Sequence, residues 1–161
     1  MAELLIMRHG EAAPGYPDHE RRLTERGEDE ARAMGRWLAD RSDIDVANLR
    51  ILASPFVRAQ QTAALVMEML PGNISMDTLE IITPDDPPEA AVDWLTLNAG
   101  EAPLLLVSHM PLVACLTGLL VEGREQAGVG FATAAIVELE ADIYAAGCAR
   151  LVSMTHPASL A

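Results

Sequence analysis

Residues 103–108 contain Leu104-Leu105-Leu106-Val107, an apolar run without alternation. A strand with one face in water alternates apolar and polar side chains. A strand apolar at every position is covered on both faces, as the central strands of a parallel sheet are. This run predicts a sheet held between layers of helices. Two further runs extend the pattern: Leu5-Ile6-Met7 within residues 3–8, and Ile51-Leu52-Ala53 within residues 49–54. All three end alike, in polar groups for which a core has no use: Arg8-His9-Gly10, Ser54-Pro55-Phe56-Val57-Arg58 and Ser108-His109-Met110-Pro111. In open α/β sheets the carboxyl ends of parallel strands form the ligand crevice, so the three clusters are expected on one edge.

The rest of the chain alternates strand and helix. Residues 9–23 read as a polar loop with Pro14, Gly15 and Pro17. Thr24 caps a helix to about residue 41, with Ala31, Met34, Trp37 and Leu38 at helical spacing. Ser54 and Pro55 mark the cap and first position of a helix over 55–70, ended by Pro71-Gly72-Asn73. A short strand near 75–81, a Pro/Asp-rich turn over 83–88 and a helix to about 98 follow. After the central strand comes a helix over 111–120, then two late strands, 131–140 and 149–155, joined near Ala146-Gly147. The pattern is a three-layer α/β/α sandwich with a mostly parallel sheet, in a single domain over residues 1–161. Trp37 and Trp94, spaced with aliphatic residues, are assigned to the core.

Half of the 161 residues are apolar and 22% are charged, an ordinary globular composition. The most apolar stretch, 104–121, is broken by Ser108, His109 and Pro111, so no membrane span is expected. Nor is a secretory leader, since Glu3 precedes a very short apolar run. Two cysteines, Cys115 and Cys148, make no disulfide framework and suit a reducing, cytoplasmic setting. The formal charge is −13, and all eleven cations are arginine. Nine of them lie in residues 1–60 against eleven acids; two lie in 61–161 against thirteen. Nucleic acid and anionic membranes are bound through basic surface and are poor candidates as partners. A site for an anion must be a local island of positive charge in the first third of the chain.

Arg58 and two histidines give that island its chemistry. With Ser54 as cap, Arg58 sits at the fourth helical position and leans toward the helix start, where free N–H groups already favour an anion. Pro111 likewise opens a helix beside His109. Two arginines, two histidines and two helix starts describe a phosphate pocket. Arginine binds phosphoryl oxygens in pairs and keeps its charge. Histidine can attack phosphorus through one ring nitrogen while an acceptor holds the other. His9 is the expected nucleophile, with Gly10 letting backbone and ligand approach closely. Arg8, Arg58 and His109 would bind the transferring group and stabilise its charge, a contribution on the order of several kcal/mol in sites of this kind.

Arg8-His9-Gly10 resembles the signature of the histidine phosphatase superfamily, which has the phosphoglycerate mutase-like fold. Four further segments resemble the SixA-type phosphohistidine phosphatases within it: Arg22-Leu23-Thr24-Glu25-Arg26-Gly27, Ser54-Pro55-Phe56-Val57-Arg58-Ala59-Gln60-Gln61-Thr62, Ser108-His109-Met110-Pro111-Leu112-Val113 and Phe131-Ala132-Thr133-Ala134-Ala135-Ile136. The resemblance implies attack by His9, a phosphohistidine intermediate hydrolysed by water, and no metal or cofactor. As partner it implies the histidine-containing phosphotransfer domain of a signalling relay; the chain itself is expected to be a monomer. Many members carry an acid after the third strand that protonates the leaving oxygen. Here Glu80 is the first candidate, with Asp85 and Asp86 as turn residues. The labile P–N bond of phosphohistidine needs less acid help than an alkoxide. Between Thr62 and Asp86 there is no room for a sizeable lid, which suits a phosphoryl group carried on a protein. The alternative among enzymes is a phosphatase or mutase for a small phosphoester. Outside enzymes it is a non-catalytic phosphoprotein-binding module, which the intact His9 argues against.

Other residues admit two readings. Arg21 and Arg22 line the groove or form a solvated pair, and Glu11 orients a histidine or solvates its loop. His19 and His156 read as surface residues. Gly128-Val129-Gly130 begins a dinucleotide-like fingerprint but lacks its third glycine and precedes a strand. His9, Glu11 and His19 have no recurrent metal-ligand spacing and would leave both arginines unexplained.

Overall fold

The continuous apolar run becomes β4 (Leu104–Ser108), buried at all five positions. A computed structural model describing residues 2–160 places it third in a six-stranded sheet. Its neighbours are β1 (Ala2–Arg8) and β2 (Arg50–Ala53), both parallel to it. A three-residue strand, β3 (Met76–Thr78), extends the sheet in parallel beyond β2. On the other side β5 (Ile136–Ala141) runs antiparallel to β1, and β6 (Ala149–Thr155) antiparallel to β5. The order is β3-β2-β4-β1-β5-β6.

Successive side chains of a strand point to opposite faces, and each face has its own helices. Leu4 and Ile6 of β1 and Leu104 and Leu106 of β4 meet Leu95 of α3 (Pro88–Asn98) and Leu116 of α4 (Leu112–Glu122). Leu5, Met7, Leu105 and Val107 meet Met34 of α1 (Glu25–Ala39) and Ala63 of α2 (Val57–Met69). The expected α/β/α sandwich is thus observed. No helix among the described residues is long and apolar enough to cross a membrane.

Three local expectations need correction. Helix α2 begins at Val57, two residues late, because Phe56 is still extended and Ser54 turns its hydroxyl elsewhere. Arg58 is therefore second in the helix. Strand β5 begins at Ile136; residues 131–135 fold across the end of β1, with Ala134 in the left-handed region at φ 60°. The tryptophans sit half-buried at the edges of the two clusters, with Arg41 5.0 Å above Trp37 and Arg50 5.9 Å above Trp94.

Gly10 is needed for a reason other than ligand approach. A Cβ on it would lie 2.5 Å from the carbonyl oxygen of Gly27, and one on Gly27 would lie 2.1 Å from that of Glu11. The first turn of α1 thus packs backbone against backbone on the segment carrying His9. Thr24 holds this turn by accepting from Gly27 N–H at 3.0 Å. Replacing Gly27 by Ala is expected to cost about 1–3 kcal/mol through overpacking against a backbone that cannot yield. Denaturant unfolding at unchanged m-value checks it.

Candidate active site

The register sets the site. Arg8 lies opposite Ser108 and Ala53 opposite Val107, so His9, Ser54 and His109 are the first residues beyond three adjacent parallel strands. The His9 backbone is fixed on both sides: its N–H donates to Ser108 O at 3.0 Å, and its carbonyl accepts from Ala134 N–H at 3.0 Å. Gly10 N–H donates to Thr62 Oγ1 at 3.0 Å, and that hydroxyl donates to Arg58 O at 2.8 Å. With its amide engaged by Thr62, Gly10 offers no donor to a phosphoryl group. Its close approach to the Gly27 backbone gives it a packing role as well.

The His9 ring has a defined tautomer. Nδ1–H donates to Gly10 O at 2.7 Å, an acceptor with no proton to give, so Nε2 carries the lone pair. Nε2 accepts from Arg58 Nε–H at 3.2 Å. His9 is only 7% exposed, and burial lowers its pKa from 6.5 to about 4, with Arg58 and Arg8 adding to the effect against the bond to Gly10. The His109 ring stands 5.1 Å away, edge to face, 1% exposed. Burial, then His9 and Arg58, lowers it to about 3. Both histidines are neutral at pH 7, and the neutral imidazole, whose Nε2 lone pair accepts only from Arg58, is the nucleophilic form.

Three arginines approach this pair. Arg8 donates from Nη1 to Phe131 O at 2.8 Å, which is the work of the folded-over 131–135 segment. Burial lowers the Arg8 pKa, with Glu30 acting against it and Arg58 with it. Arg58 packs over the Phe56 ring at 5.0 Å and gives its other two nitrogens to Asp18: Nη1 to the carbonyl at 2.8 Å, Nη2 to Oδ2 at 3.1 Å. Arg21 donates from Nε to Ala13 O at 2.8 Å and from Nη1 to Asp18 Oδ1 at 3.0 Å. Arg8, His9, Arg21 and Arg58 line a cavity of about 360 Å³ together with Glu11, Ala12, Met110 and Thr133. A cavity of about 450 Å³ at the opposite edge of the sheet is lined by Ala2, Gly100, Glu101 and Asp142 and has no cation to offer an anion.

The arginine pair is thereby divided: Arg21 lines the cavity, whereas Arg22 is exposed. Glu80 is exposed beyond β3 and is not among the lining residues. Asp86 is a turn residue, accepting from Thr83 N–H and Oγ1–H. Glu11 lines the cavity, but its carboxylate accepts from Thr24 Oγ1–H at 2.9 Å, and His19 packs edge-on to Phe56. His9, Glu11 and His19 therefore have separate partners.

Sequence reasoning missed Thr62, Asp18 and the true partner of Ser54. Thr62 stands four residues after Arg58, one helical turn on the same face, and that spacing was its signal. Asp18 stands three before Arg21, a weaker one. Ser54 Oγ shares a 2.7 Å hydrogen bond with His109 Nε2 and accepts from Phe56 N–H at 3.3 Å. His109 Nδ1 is buried without a protein partner, so this bond is the only one the ring makes among the described residues.

Two outcomes follow from this burial. Replacing Ser54 by Ala leaves His109 Nε2 unpaired and is expected to cost about 1–3 kcal/mol in denaturant unfolding. The second concerns pH. A histidine held neutral by the fold contributes stability fully present above pH 6.5 and lost as pH falls from there toward about 4 for His9. Between these limits the slope approaches about 1.4 kcal/mol per pH unit per histidine. The difference in unfolding free energy between wild type and His9→Asn, followed from pH 7 to 4.5, is expected to shrink accordingly.

Residues 4–81 match the sequence model of the histidine phosphatase superfamily (branch 1). The phosphohistidine phosphatase SixA of Escherichia coli K12 is 37% identical over 143 residues, 87% of this chain and 86% of that one. The SixA homolog of Haemophilus influenzae is 34% identical, covering 84% and 86% respectively. A solved structure of the protein histidine phosphatase SixA complexed with tungstate superposes with a TM-score of 0.86 at 34% identity, over 99% of each chain.

Proposed function

The chain belongs to the SixA-like phosphatases of the histidine phosphatase superfamily, and from that premise we propose that it hydrolyses phosphohistidine on a protein, a histidine-containing phosphotransfer domain of a signalling relay, with His9 as nucleophile. The observation that carries the reading is the His9 ring, with Nδ1–H given to Gly10 O and the lone pair of Nε2 facing Arg58.

In the proposed sequence the phosphoryl oxygens draw the Arg58 Nε–H off His9, and Nε2 attacks phosphorus. The P–N bond of the substrate breaks, and its electron pair returns to the substrate imidazole. That ring leaves neutral when its other nitrogen carries a proton, so the enzyme supplies none. This is consistent with a cavity whose lining carboxylate, Glu11, is occupied by Thr24, and with the exposed position of Glu80. Water then attacks the phosphoryl group on His9. The P–N bond to Nε2 breaks, the water proton leaves with phosphate, and Nδ1–H is retained. Arg8, Arg58 and Arg21 would hold the charge of the in-flight group, with neutral His109 beside it.

The test is phosphate release from a phosphorylated phosphotransfer domain and from p-nitrophenyl phosphate, with EDTA throughout. Wild type is expected to act mainly on the protein, and His9→Ala to lose at least about a thousandfold of that rate, as removal of a nucleophile does. Glu80→Gln is expected to keep its rate on phosphohistidine. Comparable turnover of the small ester would assign a small-molecule phosphatase, and binding without turnover a recognition module.

A further inference from the structure

The cationic edge of the pocket is already half neutralised from within. Asp18 lies in a single 3-10 turn, Asp18–Glu20, on the arm between β1 and α1. One carboxylate oxygen accepts from Arg21 and the other from Arg58, while the carbonyl of the same residue takes a third N–H. The arm is itself tied down: Ala13 N–H donates to Arg22 O at 2.8 Å, Ala12 pairs with Leu23, and Arg21 Nε–H donates to Ala13 O. Arg58 is left with Nε directed at His9. Of the lining groups, Arg8, Arg21 and Arg58 stand against Glu11, with Asp18 behind the last two arginines.

We propose that Asp18 is a specificity-determining residue, which occupies the outward donors of Arg21 and Arg58 so that the pocket binds one phosphoryl group and gains nothing from a second anionic group on the same small molecule. A phosphorylated carboxylic acid would need a second cation beside the one holding its phosphate, and of the three lining arginines Arg21 and Arg58 already face the Asp18 carboxylate, which leaves Arg8 for the phosphoryl group. A phosphoryl group on a protein imidazole carries no such second charge, and the pocket favours it by leaving the competitor unrewarded. The lowered pKa of Asp18, caused first by Arg21 and then by Arg58, keeps the carboxylate ionised across the working range. The proposal rests on the phosphatase reading of the pocket and narrows it.

Calorimetric titration of the full chain with inorganic phosphate and with phosphoglycolate tests it without any turnover. In wild type phosphoglycolate is expected to bind no more tightly than phosphate. In Asp18→Asn the ratio of the two affinities is expected to shift about tenfold toward phosphoglycolate, as one newly available ion pair allows, and Asp18→Glu to restore the wild-type ratio. A purely structural role would weaken both ligands together and leave the ratio unchanged, and that outcome overturns the proposal. So does a wild type that already prefers phosphoglycolate tenfold. Failure of the phosphohistidine assay with the ratio behaving as stated would remove the substrate assignment and leave the role of Asp18 standing.

Discussion

Parallel pairing of β4 with β1 and β2 sets the level at which each polar cluster leaves the sheet. Arg8 opposite Ser108, and Ala53 opposite Val107, bring His9, Ser54 and His109 out side by side. A slip of one residue would send every side chain of the slipped strand to the other face. It is prevented by apolar side chains far from the chemistry: Leu4 and Ile6 must meet α3 and α4 while Leu5 and Met7 meet α1 and α2. The spacing of the two imidazoles is thus a consequence of core packing. The last strand residues then hand their backbone bonds to the site itself, as His9 does to Ser108 and Ala134.

Setting one buried and one half-buried arginine beside two buried histidines is possible because the charges are divided unequally. The imidazoles carry none at neutral pH, since burial holds both far below their ordinary pKa. The guanidiniums cannot discharge, so each must find oxygen. Arg8 takes Phe131 O, and Arg58 takes two oxygens of Asp18. Phe56 fills the angle between Arg58 and His109, its ring about 5 Å from each (5.0 Å in both cases). Side chains fixed in this way need little reorganisation when charge arrives, the condition under which electrostatic stabilisation is strongest.

The strands, their order of burial and the edge on which the site lies were legible because periodicity and continuous apolarity depend on local residue type. The two boundary errors came from residues with two uses. Ser54 before Pro55 has the form of a helix cap, but its hydroxyl is taken by His109, fifty-five residues away. Phe131–Ala135 has strand composition, but the segment is recruited to cover Arg8 and accepts a left-handed Ala134 to do so. Gly10, read as making room for a ligand, makes room for the Gly27 backbone as well. Local patterns cannot distinguish such uses, because each partner lies far along the chain. Arg8, His9, Arg58 and His109 stood out in the sequence, since no core needs them and each lies at a strand end, just after one, or in the first turn of the helix that follows.

The uneven charge of the chain bears on how a substrate reaches this pocket. At −13 overall, the molecule repels anions in general, and at physiological salt that repulsion is screened beyond about 8 Å. Inside that distance the arginine-rich first third nearly balances its acids, and the cavity itself has an excess of guanidinium. A small dianion is therefore not steered from afar; attraction begins only at the mouth. The acidic exterior and the compact cationic interior together confine the attraction for an anion to the pocket itself.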